Sequence, residues 1–329
     1  MRINEKRLTI LKLLHKNKNE FVSGAEIAEK LEASRTTVSN YIEELRAKGY
    51  IIEARTNKGY ILKFVPDNLL PEEIYCGLKT DFMGREIEFF PEIDSTNKKA
   101  KEIAGSDAGE GMLVIADRQT EGRGRRGKNW FSPERTGLWF SLILKPHFRP
   151  RISPVLTFIA SLAVKKVLLK KGFTVFLKWP NDLYINKKKA AGILVEIDSE
   201  IGHINRAVVG FGINVNQDKF PSELKNRAIS LKQVTGETYS RSKLLQELLF
   251  VFEDYYKKLK QGQESQLLGE WKSQLDLIGK KVNIKQENNS FYGQVVDVSD
   301  RGALVIKDTA GHKRKLWAGD ISLDVEDFQ

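Results

Sequence analysis

Four cations stand within six residues, at Arg123, Arg125, Arg126 and Lys128, interleaved with Gly122, Gly124 and Gly127. Guanidinium forks grip carboxylates and phosphates through paired hydrogen bonds, and glycines let a backbone close around such a group. Like charges this close repel until an anion neutralises them, so order in this segment is expected to depend on a polyanionic ligand. A solvated basic loop or a nucleic-acid patch would have the same composition. Two better-known phosphate motifs do not fit. The glycines satisfy G-x-G-x-x-G, but residues 131–150 hold only one acid, Glu134, to meet a ribose, and Trp130-Phe-Ser-Pro133 does not open a helix. The segment also approaches G-x4-G-K-[ST], but Asn129 replaces the Mg²⁺-ligating hydroxyl and the helix is again missing.

Other segments carry compatible chemistry. In Lys178-Trp-Pro-Asn-Asp182, Pro180 should stop a strand over residues 174–177 and set Asn181 and Asp182 at its end. Lys187, Lys188 and Lys189 lead into the apolar run 190–196. Gly210 and Gly212 interrupt a strand over residues 208–216, where a ligand or backbone must come close. Asp94-Ser-Thr-Asn97 offers hydroxyls and an amide, with Ser95 also placed to cap a helix over residues 97–103. Cys76 is the single cysteine and His15, His147, His203 and His312 are scattered, which excludes a disulfide framework and a thiolate zinc site.

The elements that must hold these residues fall into three parts. Residues 1–63 carry 13 basic and 8 acidic side chains, residues 64–274 carry 33 and 26, and residues 275–329 carry 8 and 9. In the first part, apolar residues recur at helical spacing between Glu5 and Lys18, Ser23-Gly-Ala-Glu26 reads as a capping box, and Ser34 caps a third helix. Val38, Ile42 and Leu45 face its core, and a hairpin over residues 50–64 turns at Thr56-Asn-Lys-Gly59. This is the winged helix-turn-helix order. It makes Ser34, Arg35, Thr36, Thr37, Ser39, Asn40 and wing-tip Lys58 candidate DNA contacts, and such modules usually bind as dimers. After a linker from Pro66 to Pro71, strands and helices alternate. Residues 241–272 read as helix, and five short strands fill the tail with turns near residues 287–289, 300–302 and 309–311. The apolar run 155–164 is half the length of a membrane span and reads as a core helix. A soluble cytoplasmic protein with no membrane partner is expected.

The motifs GRGRRGxxW, KWPNDLY, KxAGILVE and GxGINVN, in this order along the whole chain, resemble those of the biotin protein ligases, and the winged helix points to the bifunctional ligase/repressor subclass. The resemblance implies an α+β multidomain fold: a winged helix-turn-helix (1–65), a mixed α/β biotin/lipoate-ligase-type catalytic domain (66–274) and a small SH3-like β-barrel (275–329). It implies a two-step reaction. The biotin carboxylate attacks the α-phosphate of ATP, and a lysine of the biotin carboxyl carrier protein then takes the biotinyl group from biotinyl-5′-AMP. Acetyl-CoA carboxylase would own that carrier, with pyruvate carboxylase as a second candidate. Operator DNA, a homodimer, Mg²⁺ carried by ATP and corepression by the adenylate complete the expectation.

By motif, Ser95, Thr96, Asn97, Gln119, Arg123, Gly124, Arg125, Lys189 and Gly192 would bind biotin. Arg125, Arg126, Trp130, Asn181, Lys189 and Asn214 would bind ATP and the adenylate, with Trp130 stacking on adenine and Asn214 reading its edge. Arg125, Lys189 and Asp182 would carry catalysis, and Trp179 would wall the biotin chain. No dedicated metal ligands are expected. Glu121, where relatives carry a small residue, is expected to pair with a loop arginine. A ligase without a repressor role and a lipoate-type ligase are the alternatives.

Overall fold

The computed structural model describes residues 3–105, 108–146, 148, 153–200, 203–286, 289–299, 302–316 and 320–323. Helices α1 (Glu5–Lys16), α2 (Gly24–Lys30) and α3 (Arg35–Ala47) precede a hairpin of β1 (Ile51–Arg55) and β2 (Gly59–Phe64). Ile10, Leu11 and Leu14 of α1 pack with Ile27, Val38, Ile42 and Leu45 in a buried core, and Leu8 of the same helix is also buried. Ser23 and Ser34 accept from the Glu26 and Thr37 amides, so both caps form, although only the serine half of the expected capping box does. Gly59 has φ +104° and lies so near Val22 that a Cβ would stand 2.0 Å from its carbonyl oxygen; the wing is glycine-dependent here.

Helix α4 (Pro71–Cys76) follows the linker. The next elements are β3 (Ile87–Ile93), α5 (Thr96–Ala104), β4 (Met112–Gln119), β5 (Gly137–Leu144), α6 (Ser153–Lys170), β6 (Phe176–Lys178), β7 (Asp182–Ile185), β8 (Lys188–Glu200) and β9 (His203–Asn214). Their strands form one sheet in the order β3-β4-β5-β9-β8-β7-β6, parallel between β3 and β4 and antiparallel elsewhere. Strand alternation divides its side chains between two faces. Val114, Ile143 and Val208 pack with Ala100 and Ala104 of α5, whereas Leu113, Ile115, Leu142 and Val209 join the main core. That core includes α6 and, after α7 (Leu231–Thr235), α8 (Arg241–Lys260) and α9 (Glu264–Ser273).

The apolar α6 is thus a core helix, and no helix among the described residues is long and apolar enough to cross a membrane. The helix expected over 241–272 is broken between α8 and α9 by Gly262, at φ +79°. The strand expected over 174–177 lies at β6, because Lys178 still pairs with Asp182 and the turn occupies only residues 179–181.

The last sheet holds β10 (Lys281–Gln286), β11 (Asn289–Val298), β12 (Leu304–Asp308), β13 (Lys313–Leu316) and β14 (Asp320–Leu323) in the antiparallel order β13-β12-β11-β10-β14. Residues 287–288, 300–301, 317 and 324–325, parts of the expected turns and strand ends, lie outside the described residues.

Polar contacts join the three units. Glu72 of α4 accepts from the Asn4 amide and from Arg7 Nε, both at 3.0 Å. Neighbouring Glu73 meets His15 and the Tyr50 hydroxyl, both at 3.1 Å. At the other end Trp179 Nε1 donates to the Gly302 carbonyl at 3.0 Å.

Glu253 of α8 accepts from three consecutive amides, Asp81 at 2.8 Å, Phe82 at 3.0 Å and Met83 at 2.9 Å, and from Lys257 at 2.7 Å. Burial alone would raise its carboxyl, but these donors outweigh it and hold it below the ordinary glutamate range. Because the folded value is the lower one, this stabilisation is complete above the ordinary value and is lost as pH falls through the depressed one. Glu253→Gln should therefore cost about 2 kcal/mol at pH 7 in denaturant unfolding, and the difference from wild type should shrink in acid.

Candidate functional site

A cavity of about 640 Å³ opens where β8 and β9 meet the loop after β4. Its lining among the described residues includes seven cations (Arg123, Arg125, Arg126, Lys128, Lys178, Lys189 and Arg227) and one carboxylate, Asp182. Such a lining suits an anionic ligand. All the residues expected to bind biotin or nucleotide line this one cavity, and the expected DNA contacts lie apart from it on α3 and the wing.

One end is a polar pocket at the start of α5. Ser95, Thr96 and Asn97 are each at most 5 % exposed. Ser95 caps the helix, accepting from the Lys98 amide. Gln119 Oε1 accepts from the Thr96 amide at 2.9 Å and its hydroxyl at 3.1 Å, while Gln119 Nε2 donates to Ser132 Oγ at 2.8 Å. Ser141 Oγ lies 2.6 Å from Asn97 Oδ1 and 2.9 Å from Thr96 Oγ1, within donating reach of either. Asn97 Nδ2 donates to Glu196 at 2.9 Å. Ser141 and Glu196 thus orient Asn97, and sequence reading missed both. A lone serine inside the apolar strand β5 was the available signal for Ser141. The same crowding explains Gly210, where a Cβ would stand 1.9 Å from Asn97 Oδ1.

The cationic loop is a short hairpin. Trp130 N donates to Gly122 O at 2.8 Å and Gly124 N to Lys128 O at 2.7 Å, with a single 3-10 turn over Arg125–Gly127 at the apex. The absence of a following helix agrees with rejecting both nucleotide fingerprints. Arg126 and Gly127 take left-handed φ, +56° and +71°. Arg125 Nη1 donates to Asn181 Oδ1 at 3.1 Å, and Asn181 is itself tied to the Ile193 carbonyl at 2.8 Å. Glu121 meets Arg123 at 4.0 Å with both side chains more than half exposed, so the expected pairing forms but is worth little.

The other end is built around Trp130, whose ring lies over Gly192 and Gly212; a Cβ on Gly212 would stand 2.5 Å from the indole. Lys189 Nζ sits 5.0 Å from the Trp130 ring centroid and 2.8 Å from Asp182 Oδ1. Trp130 Nε1 is buried without a hydrogen-bond acceptor among the described residues, which is rare for a polar group in a native interior. Asn214 is 3 % exposed, donating to the Lys189 carbonyl and accepting from Gln217, both at 3.3 Å. In this conformation it supports the lysine backbone rather than presenting a free amide. Trp179 also lines the cavity, with its N–H turned to Gly302. Phe220, Leu224 and Arg227 complete the lining from a segment that sequence reading left unassigned. That segment is held by Lys189 N donating to Arg227 O at 2.9 Å.

Asp182 is the cavity's single carboxylate and is engaged by Lys189, and no group of three His, Cys, Asp or Glu able to hold a metal occurs among the described residues.

Three family models match the chain: "HTH domain" over residues 6–61, "Biotin/lipoate A/B protein ligase family" over 89–214 and "Biotin protein ligase C terminal domain" over 277–324. The chain is 40% identical to the "Bifunctional ligase/repressor BirA" of Bacillus subtilis (strain 168), covering 96% of this chain and 98% of that one. It is 30% identical to the protein of the same name from Escherichia coli (strain K12), over 92% and 93%. Among solved structures, the biotin protein ligase from Aquifex aeolicus in complex with biotin and ATP superposes with a TM-score of 0.62 at 31% identity, covering 72% of this chain and 97% of that one.

Gly212→Ala should displace Trp130 and change its fluorescence without unfolding the sheet. Unchanged emission would contradict the close approach. Glu121→Ala should alter ligand affinity less than about twofold in calorimetric titration, as an exposed pair implies.

Proposed function

The chain belongs to the biotin/lipoate A/B protein ligase family, and on that premise we propose that it is a biotin–protein ligase that also represses transcription when loaded with its own adenylate. The observation that carries the reading is the cavity itself, which combines a neutral hydrogen-bonding pocket at the start of α5 with seven cations and an indole in one lining. Biotin's ureido head needs both donors and acceptors, which Ser95, Thr96, Asn97 and Gln119 supply. Its carboxylate must approach an α-phosphate, and the two anions repel.

Lys189, beside Trp130, is the residue to bridge the two anions once it exchanges Asp182 for ligand oxygens. Arg123, Gly124 and Arg125 close over biotin and the adenylate, with Arg125 as the main lock and Asn181 as its orienting partner. Arg126 adds charge toward the phosphates. Trp130 offers its ring to adenine, and Asn214 the adenine edge once its long intramolecular bonds yield. Gly192 leaves room beside the ligand. Asp182 remains the carboxylate placed to take a proton from the incoming lysine. In the first step a P–O bond forms and pyrophosphate leaves. In the second, the amine attacks the acyl carbon and AMP leaves. Neither step needs an enzyme nucleophile. Mg²⁺ would arrive with ATP, held by its phosphates.

The acceptor is the biotin carboxyl carrier protein of acetyl-CoA carboxylase, in the cytoplasm. Boundaries at residues 65/66 and 274/275 separate the three units. Arg35, Thr36 and Asn40 are exposed on α3, as is Lys58 on the wing, while Thr37 and Ser39 are partly exposed. Ser34, although exposed, is occupied as the helix cap. A homodimer would present two such helices to a palindromic operator. If the adenylate favours the dimer, linkage makes it raise operator affinity, and acceptor that consumes the adenylate must lower it.

Incubation with labelled biotin, ATP and a carrier domain, with lipoate as control, should label the carrier from biotin alone; labelling from lipoate would support the other branch of the family. Arg125→Ala and Lys189→Ala should each slow adenylate formation by roughly 10²–10³-fold. In a gel shift on DNA upstream of biotin-synthesis genes, biotin plus ATP should tighten binding, and Arg35→Ala should weaken it with ligase activity unchanged. Equal shifts with and without ligand would refute the repressor role.

A further inference from the structure

We propose that Arg241 is the positioning residue for the cationic loop, and that Asp67 in the interdomain linker holds it in place. Arg241 opens α8 and is wholly buried. Its Nη1 donates to Asp117 Oδ1 at 2.9 Å and lies 3.4 Å from the Gly137 carbonyl. Asp117 stands two residues before Gln119 on β4, and Gly137 opens β5, so residues 120–136 are the excursion between them. One guanidinium nitrogen therefore spans both feet of the loop that carries Arg123 and Arg125.

The rest of the guanidinium faces the linker. Nε donates to Asp67 Oδ2 and Nη2 to the Asp67 carbonyl, both at 2.9 Å, and the Arg241 amide donates to Asp67 Oδ1 at 2.8 Å. Asn216 joins the cluster. Its Nδ2 lies 3.4 Å from Asp67 Oδ2, and its amide donates to the Thr136 carbonyl beside the second foot at 2.5 Å. A buried guanidinium with partners on several sides has little freedom, because losing any partner strands a charge away from water. Arg241, Asp67 and Asp117 do not line the cavity, so they act on the ligand only through the loop. Asp67 lies between β2 and α4, which places the clamp on the chain that carries the winged helix.

The inference rests on the adenylate-forming reading, and the test keeps the two apart. Asp67 is 29% exposed at its side chain, so Asp67→Ala and Asp67→Asn remove the anchor without opening the core, whereas Arg241→Lys is the harsher variant. Each full-length variant is studied at a temperature where circular dichroism shows it folded. Biotin-dependent ATP–pyrophosphate exchange gives kcat and the KM for biotin, and a chase gives the release rate of preformed biotinyl-adenylate.

Asp67→Ala should raise KM and the release rate about tenfold while kcat changes less than about threefold, the pattern of a loop that closes less well. Asp67→Asn, which keeps an acceptor oxygen, should fall between it and wild type. Folded Asp67→Ala with wild-type KM and release overturns the proposal, as does a fall in kcat alone. Wild-type protein that neither exchanges nor retains adenylate would instead sink the activity assigned above.

Discussion

Mutual repulsion among the cations around one cavity is the constraint that the rest of the structure answers to. Among the described residues seven basic side chains share a lining with one carboxylate, Asp182, which Lys189 meets at 2.8 Å. Holding such charges together in a partly enclosed space is costly unless an anion joins them. Fixed dipoles and tethers help to meet that cost: Asn181 holds Arg125, the Trp130 ring faces Lys189, and the loop backbone closes into a hairpin. The proposed adenylate would bring a phosphate to the guanidinium and ammonium groups and an aromatic base to the indole.

Much of this was legible in the sequence because the motifs are local. Capping serines, the apolar spacing of α3 and the glycine turn of the wing report neighbours a few residues away, and all three formed. The glycines of β9 announced close approach, though not its object. Gly210 clears space for Asn97 and Gly212 for Trp130, residues more than 80 positions distant. Ser141, Glu196 and Arg227 were missed for the same reason. Each acquires its role only when β5, β8 and the segment after β9 come together across the sheet, and a lone serine in an apolar strand carries no partner's name. The break between α8 and α9 was missed because Gly262 sits inside an otherwise unbroken helical period.

The same distinction separates binding from regulation. The proposed binding residues cluster in short motifs, whereas the contacts that tie the winged helix and the C-terminal sheet to the catalytic unit are single side chains spread along the chain. Glu72 and Glu73 of α4 receive α1 and β1's neighbour Tyr50, Arg241 joins the linker to the feet of the loop, and Trp179 reaches Gly302. Asp117, Arg241 and Asp67 thus form a polar connection from the feet of the loop to the linker, and for the proposed adenylate to act as corepressor it must favour one of two global states.

The most direct test is a structure of the full-length protein determined after incubation with biotin and MgATP. The account predicts one continuous biotinyl-adenylate, its ureido head among Thr96, Asn97 and Gln119, its phosphate between Arg125 and Lys189, and its base against Trp130. A phosphate bound outside the cavity, with Lys189 still paired to Asp182, would contradict it.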